Sequence, residues 1–184
     1  RIERDYIWDL NQFKKIGRYL DGLEKEDRLL IEQVLKSYNH IVVPLRIVIP
    51  SGIIHNDINQ KNLIVNKNQI TGILDFGDAV HSSIINDLAG TLAEFLVDKK
   101  PSFTHAKIIY RAYCKRRPLS DAEKNCLPIL IAARLALVYA VSRYTLSKDS
   151  DNEYVKEMIE ITKETLKWFV QLDPEQVMAN LQES

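Results

Sequence analysis

The sequence predicts a mainly α-helical domain with a small β-hairpin insertion, and three observations carry that prediction. Apolar residues recur at three- and four-residue spacing through both flanks of the chain, the pattern of a helix with one buried stripe. Between the flanks, residues 52–75 hold apolar runs too short for helices, separated by Asn66, Asn68 and Gly72, which punctuate strands and tight turns. Ser120-Asp121-Ala122-Glu123 and Ser150-Asp151-Asn152-Glu153 each have capping-box spacing, in which serine and glutamate satisfy each other's free amides at a helix start.

Taken in order, Ile7, Trp8, Leu10, Phe13, Ile16, Tyr19 and Leu20 predict a first helix, which Gly22 can end. A second helix is expected from about Lys25, with Leu29, Leu30, Ile31, Val34 and Leu35 on one broad face. Pro44 and Pro50 are expected to mark a break and a turn, because a proline disfavours helical geometry in the residue before it. Ile53-Ile54, Leu63 to Val65 and Ile70 to Leu74 read as short strands, the last two paired as a hairpin. Helical spacing returns at Ile84 with Leu88, Leu92 and Phe95-Leu96. Three further helices are expected: roughly 103 to 115, 120 to Tyr144, and 150 to about Leu172. Trp168 and Phe169 read as core, and Lys115-Arg116-Arg117 as a solvated helix end.

The 184 residues suffice for one hydrophobic core, and 1–184 reads as a single domain. Lys and Arg number 25, as do Asp and Glu, so the formal net charge is zero. Binding to nucleic acid or to a membrane surface calls for a basic excess, so neither partner is expected. Cys114 and Cys126 stand in no paired motif, which argues against a disulfide framework or a cysteine zinc site. No apolar run reads as long enough to span a bilayer and no signal peptide is evident, so the expected location is cytoplasmic. The only methionines are Met158 and Met178 and the first residue is Arg1, so the chain is expected to be a piece of something longer.

The chemistry concentrates in the β-insertion. His55-Asn56-Asp57-Ile58-Asn59-Gln60-Lys61-Asn62 is followed, thirteen residues after Asn62, by Asp75-Phe76-Gly77-Asp78. Phosphoryl transfer needs such a set of carboxylate, amide and carboxylate. A carboxylate at a loop tip, Asp57, can orient an acceptor hydroxyl and take its proton. Mg²⁺ brought by a triphosphate wants hard oxygen ligands, which Asn62 and Asp75 can supply. The five-residue step from Asp57 to Asn62 lets one loop place base beside metal, and the hairpin would return Asp75 to Asn62. His55 is read as packing beneath the loop, orienting Asp57 or the Asp75 backbone. Arg134 could receive a substrate carboxylate, or could pair with an acid of its own domain. Asp78 and His81 could face an acceptor, or could lie in a solvated turn.

The segments Gly52 to Asn62 and Gly72 to Asp78 resemble the aminoglycoside phosphotransferase family of small-molecule kinases. Tyr6-Ile7-Trp8-Asp9-Leu10, Ala133-Arg134-Leu135-Ala136 and Asn152-Glu153-Tyr154 are similar to its hydroxylysine kinase branch. The resemblance implies the C-terminal, helical lobe of a protein-kinase-like fold. It implies Asp57 as catalytic base, Asn62 and Asp75 as Mg²⁺ ligands, and Asp87 as the aspartate bracing the catalytic loop. Asn56 stands where family members often have glycine. The residue before Asp57 is not arginine, and no Ala-Pro-Glu follows Asp75, so a small-molecule acceptor is favoured over a protein. None of the six glycines forms a phosphate-covering loop, and no strand lysine precedes His55, so the N-terminal nucleotide-clamping lobe is expected to lie outside this chain.

The expected activity is transfer of the γ-phosphoryl group of ATP or GTP to an alcohol group of a small amino-bearing acceptor. By resemblance the acceptor is 5-hydroxylysine. Choline, homoserine, a sugar or an aminoglycoside are the alternatives within the family, and a non-catalytic ligand-binding or docking lobe is the alternative outside enzymology. The chain by itself is expected to be nearly silent without its other lobe.

Overall fold

The apolar run between Cys126 and Ala140 forms the axis of the fold. In the computed structural model, which describes residues 5–147 and 153–183, this run lies in the 26-residue helix α5 (Asp121–Leu146). Ser120 caps it, and both bonds of the predicted capping box are present. Leu127, Leu130, Ile131, Ala133, Leu135, Ala136 and Leu137 are all buried, so α5 is covered on nearly every side. This corrects the reading that no apolar stretch approaches a membrane span. By length and composition α5 does, but 72% of its most apolar window is buried inside the protein, as befits a core helix.

Other elements wrap this axis. The expected first helix is a 3-10 helix over Leu10–Tyr19 rather than an α-helix. Leu10, Phe13 and Ile16, its buried residues, recur every third position, which matches three residues per turn better than 3.6. Helix α1 (Lys25–Ser37) does not stop at Pro44. It continues through a π-helical turn, Tyr38–Val42, into the short helix α2 (Val43–Leu45). The wider turn shifts the hydrogen-bond register, and Pro44 falls in the first turn of α2, where a missing N–H is tolerated. Helices α3 (Ile85–Leu96), α4 (Ala106–Arg116) and α6 (Glu153–Phe169) lie where periodicity placed them. Ser150, Asp151 and Asn152 of the second expected capping box fall outside the described residues.

Helix α7 (Pro174–Gln182) was not anticipated, although Asp173 and Gln176 form a capping box at its start. Phe169 is buried and packs with Trp168 against Phe103, in line with the core reading. Arg117 is not a solvated helix end: its Nη2 lies 2.6 Å from Glu123 Oε1, and Glu123 is buried. A second buried carboxylate, Asp27 of α1, accepts from Tyr139 Oη at 2.5 Å and pairs with Lys163 Nζ at 2.8 Å, joining α1, α5 and α6.

The β-region consists of two separate antiparallel pairs. Strands β2 (Leu63–Asn66) and β3 (Gln69–Ile73) make the predicted hairpin. Its two-residue turn, Lys67-Asn68, has positive φ at both positions, the backbone twist that tight hairpins favour. Strand β1 (Ser51–Ile54) pairs with β4 (Val80–Ser83), with Ile53 opposite His81. No periodic signal marked β4. Its place is fixed by tertiary contacts: Ser82 Oγ donates to the buried Asp9 carboxylate at 2.5 Å, and Ser83 Oγ to Asn11 Oδ1 at 3.0 Å. Asp9 also caps the 3-10 helix by accepting from Asn11 N–H. The two strand pairs therefore leave a loop, residues 55–62, and a turn, residues 74–79, side by side above α3 and α5.

Candidate active site

The loop begins where β1 ends. The backbone N–H groups of His55 and Asn56 both donate to the Asp87 carboxylate in the first turn of α3, at 3.4 and 2.7 Å. Two amides on one carboxylate fix the direction in which the chain leaves the strand. Asn56 then takes φ of +70°, a conformation open to glycine and, among other residues, most readily to asparagine and aspartate. That accounts for asparagine standing where the family often has glycine. Asn56 Nδ2 donates to the Trp8 carbonyl at 3.3 Å, tying the loop to the N-terminal segment.

His55 is buried beneath the loop. Its Nε2 lies 2.8 Å from the Leu74 carbonyl oxygen, and its Nδ1 is 3.3 Å from the Asp57 backbone N–H. One tautomer satisfies both: Nε2 protonated and donating, Nδ1 accepting. The imidazole thereby links the loop carrying Asp57 to the residue before Asp75. Its ring packs against Phe76, with centroids 4.6 Å apart.

The Asp57 carboxylate is held from three directions. Oδ1 faces Arg134 Nη2 at 3.2 Å; Oδ2 accepts from Asn59 Nδ2 at 3.0 Å and Asn62 Nδ2 at 2.9 Å. Asn62 Nδ2 also reaches the Asp57 carbonyl at 2.9 Å, which commits its amino group to Asp57. Among the described residues no donor engages Asn62 Oδ1. The hairpin closes as expected: Leu74 N–H donates to the Asn62 carbonyl at 2.8 Å, so Asp75 follows directly beside Asn62. Asp75 is exposed, sits in left-handed geometry at φ 59°, and accepts from Gly77 N–H through Oδ1 at 3.3 Å. A non-glycine residue in that region carries strain of roughly 1 kcal/mol or more, sustained here by the surrounding hydrogen bonds.

Among the described residues no three His, Cys, Asp or Glu side chains converge to hold a metal by themselves. The oxygens of Asn62 and Asp75 nonetheless suit a hard cation such as Mg²⁺, which ordinarily takes one or two protein ligands and completes its shell with phosphates and water.

Arg134 reaches Asp57 from α5, with only 12% of its side chain exposed and its guanidinium 5.4 Å from the Trp8 ring centroid. Burial pulls it below its ordinary pKa against the opposing charges of Asp57, Glu94 and Asp78. Of the two readings of Arg134, the structure has the intramolecular pair. Asp78 accepts a hydrogen bond from Tyr6 Oη. His81 is exposed on β4 and lines a different, polar concavity of about 650 Å³ with Asp9, Asn11 and Ser82. The structure thus gathers His55, Asp57, Asn62, Asp75, Asp87 and Arg134 and leaves His81 apart. Sequence reasoning missed Asn59, although an asparagine whose side chain accepts from the backbone two residues on is a common turn, and Asn59 Oδ1 accepts from the Lys61 and Asn62 N–H groups. It also missed Trp8 as a wall of the site, and Glu94.

Comparison with known proteins follows the same lines. A family model for the phosphotransferase enzyme family (APH) matches residues 1–123. The chain is 26% identical over 171 residues to hydroxylysine kinase of Xenopus laevis, covering 87% of this chain and 45% of that protein. It is 25% identical over 154 residues to hydroxylysine kinase of Danio rerio, covering 80% and 43%. It is 32% identical over 111 residues to homoserine kinase of Parvibaculum lavamentivorans, covering 59% and 34%. The chain spans less than half the length of these relatives. With the matched model covering 123 of 184 residues, the loop and the metal-type turn both inside it, the chain belongs to the phosphotransferase enzyme family.

Proposed function

We propose that this chain is the helical lobe of a small-molecule kinase that moves the γ-phosphoryl group of ATP or GTP to a hydroxyl of a small amino-bearing acceptor, with 5-hydroxylysine the first candidate. The observation that carries the reading is the grouping of Asp57, Asn62 and Asp75 by one loop and one hairpin. In it Asp57 orients the acceptor hydroxyl and takes its proton as the bond to phosphorus forms. Arg134, Asn59 and Asn62 aim the carboxylate. Asn62 Oδ1 and the Asp75 carboxylate would hold Mg²⁺, which would neutralise charge on the phosphates. His55 and Asp87 keep the loop and the turn in register. Hydroxylysine comes first because hydroxylysine kinases match 80–88% of the chain. Homoserine is the second reading, supported by homoserine kinases matching a shorter part at up to 33% identity.

The reading includes a second lobe. The chain carries no glycine-rich phosphate cover, and Ile64, Val65, Ile70, Ile73, Leu74 and Phe76 expose 45–62% of their surface on and beside the hairpin. An apolar patch of this kind marks an interface, and a nucleotide-clamping lobe docked there would complete the phosphate site. The test is transfer of labelled phosphate from ATP or GTP to 5-hydroxylysine and homoserine, by this chain alone and by this chain joined to such a lobe. The proposal expects transfer from the joined protein and almost none from the chain alone. A joined protein that folds, binds nucleotide and phosphorylates no small hydroxylated amine would overturn it.

A further inference from the structure

Arg134, Asp78 and His81, the sequence-based candidates for acceptor binding, have other partners or positions. Arg134 is engaged with Asp57, Asp78 with Tyr6, and His81 faces another concavity. A cleft of about 300 Å³ instead opens against the catalytic-type loop, between α3, α5 and α6. Asn59, Lys61 and Arg134 line it on the loop side, and Arg134 touches Asp57 directly. Val97, Val138, Met158 and Ile159 form apolar wall elsewhere. Glu94 of α3 is the one carboxylate among its lining residues.

Glu94 differs from most acids of this protein. Among the described residues its carboxylate has no hydrogen-bond or salt-bridge partner, whereas those of Asp27, Asp57 and Glu123 are all paired. Its side chain is exposed by surface area, yet enough protein crowds the carboxyl that burial raises its pKa above the ordinary value, opposed by the charges of Arg134 and Lys61 and reinforced by that of Asp57. A carboxylate in such a place gains from a cationic partner. The volume lies at the low end for ligand sites, so it suits a single aliphatic amino alcohol rather than a multi-ring aminoglycoside.

We propose that this cleft is the acceptor subsite, in which Glu94 binds the ammonium group of a small aliphatic amino alcohol while the alkyl chain lies on Val97, Val138 and Met158 and the hydroxyl reaches Asp57. The proposal rests on the kinase reading and names the recognition chemistry of that same site. Glu94 is its specificity residue. Glu94 lines the same cleft as Arg134, the partner of Asp57, which favours acceptors in which ammonium and hydroxyl are separated by few bonds, as in 5-hydroxylysine.

The test is a binding measurement, independent of turnover. The full 184-residue chain is titrated by NMR with 5-hydroxylysine and with 2-amino-5-hydroxyheptanoic acid, which carries a methyl group in place of the side-chain ammonium. The amine should bind about 10-fold more tightly, the scale of one charge-assisted hydrogen bond, and should shift backbone signals of Glu94, Val97 and Val138. Glu94→Gln should bring the two ligands within about 2-fold, and Glu94→Asp should restore part of the preference. Val138→Trp, which fills the cleft from the opposite wall, should weaken both ligands equally. Retention of the preference in Glu94→Gln, shifts centred on His81 and Ser82 instead, or no saturable binding of the amine would overturn the proposal. Binding as described with no phosphate transfer by the joined protein would instead overturn the kinase reading and leave the subsite standing.

Discussion

Removing the two partners of the Arg134–Asp57 pair should have unequal effects on stability. Arg134 has 12% of its side chain exposed and Asp57 28%. Arg134→Met removes the charge while keeping much of the volume against Trp8. Asp57 then loses one donor at 3.2 Å but keeps Asn59 and Asn62 at 3.0 and 2.9 Å, and it has access to water. The burial that penalises Arg134 is relieved at the same time. The expected cost is about 1 kcal/mol or less, in line with apolar replacement of buried ions. Asp57→Ala leaves a nearly buried guanidinium with Glu94 and Asp78 only at longer range, and should cost about 3 kcal/mol. For a chain of this size that corresponds to a loss of roughly 6–12 °C in melting temperature. Combining the two substitutions should recover about 2 kcal/mol relative to additivity. Urea unfolding of the four proteins of this cycle measures the terms. A coupling below about 0.3 kcal/mol, or an Arg134→Met variant less stable than Asp57→Ala, would refute the view that burial makes Arg134 the more dependent partner.

Other consequences follow from the same contacts. The Asp27 carboxyl is pushed up by burial but pulled further down by hydrogen bonds from Lys163 and Tyr139, so its net pKa is lowered. A carboxyl depressed in the folded state contributes stability above its unfolded pKa and loses it as pH falls through the folded one. Asp27→Asn should therefore destabilise the protein at neutral pH and flatten the acid limb of its stability curve below about pH 4, and an unchanged acid limb would remove Asp27 from this role. Ser120→Ala deletes the acceptor that caps α5 and should cost about 1 kcal/mol in urea unfolding. In the two-lobe protein, Asp75→Ala should abolish transfer and Asn62→Ala should raise the Mg²⁺ needed for half-maximal rate, since each would withdraw one hard oxygen. Ordinary activity of Asp75→Ala at ordinary Mg²⁺ would sink that assignment.

The sequence was most legible where local chemistry and tertiary structure agree. Helix α5 declares itself through Ser120, Glu123 and a continuous apolar run. The β2–β3 hairpin is written in Asn66, Asn68 and the short apolar runs beside them. The clustering of Asp57, Asn62 and Asp75 follows from five-residue spacing and that hairpin. What stayed hidden depends on contacts distant in sequence. Strand β4 exists because Ser82 and Ser83 meet Asp9 and Asn11 across more than 70 residues. The 3-10 geometry of Leu10–Tyr19 was visible in strict three-residue spacing but is easily taken for the commoner 3.6-residue pattern. Pro44 reads as a break in the sequence because a π-helical turn, which re-registers the backbone ahead of it, has no simple sequence signature. The Arg134–Asp57 pair spans 77 residues, so only packing could choose between the two fates open to that arginine. Glu94 carries no signal of its own in the sequence, where it is one acid on an amphipathic helix; only the cleft beside it sets it apart.

In the proposed function Asp57 is the base of a phosphoryl transfer to a small hydroxylated amine. The most direct measurement is the rate of phosphate transfer from ATP and GTP to 5-hydroxylysine by the two-lobe protein and by its Asp57→Asn variant, with melting temperature recorded for both. Asparagine keeps a hydrogen-bond acceptor towards Arg134 but cannot take the proton. Turnover is expected in the parent protein and a fall of roughly 10²–10⁴ in the variant, with nucleotide binding retained and a loss of melting temperature no larger than that of Asp57→Ala. Turnover of Asp57→Asn within a few-fold of the parent protein would contradict it.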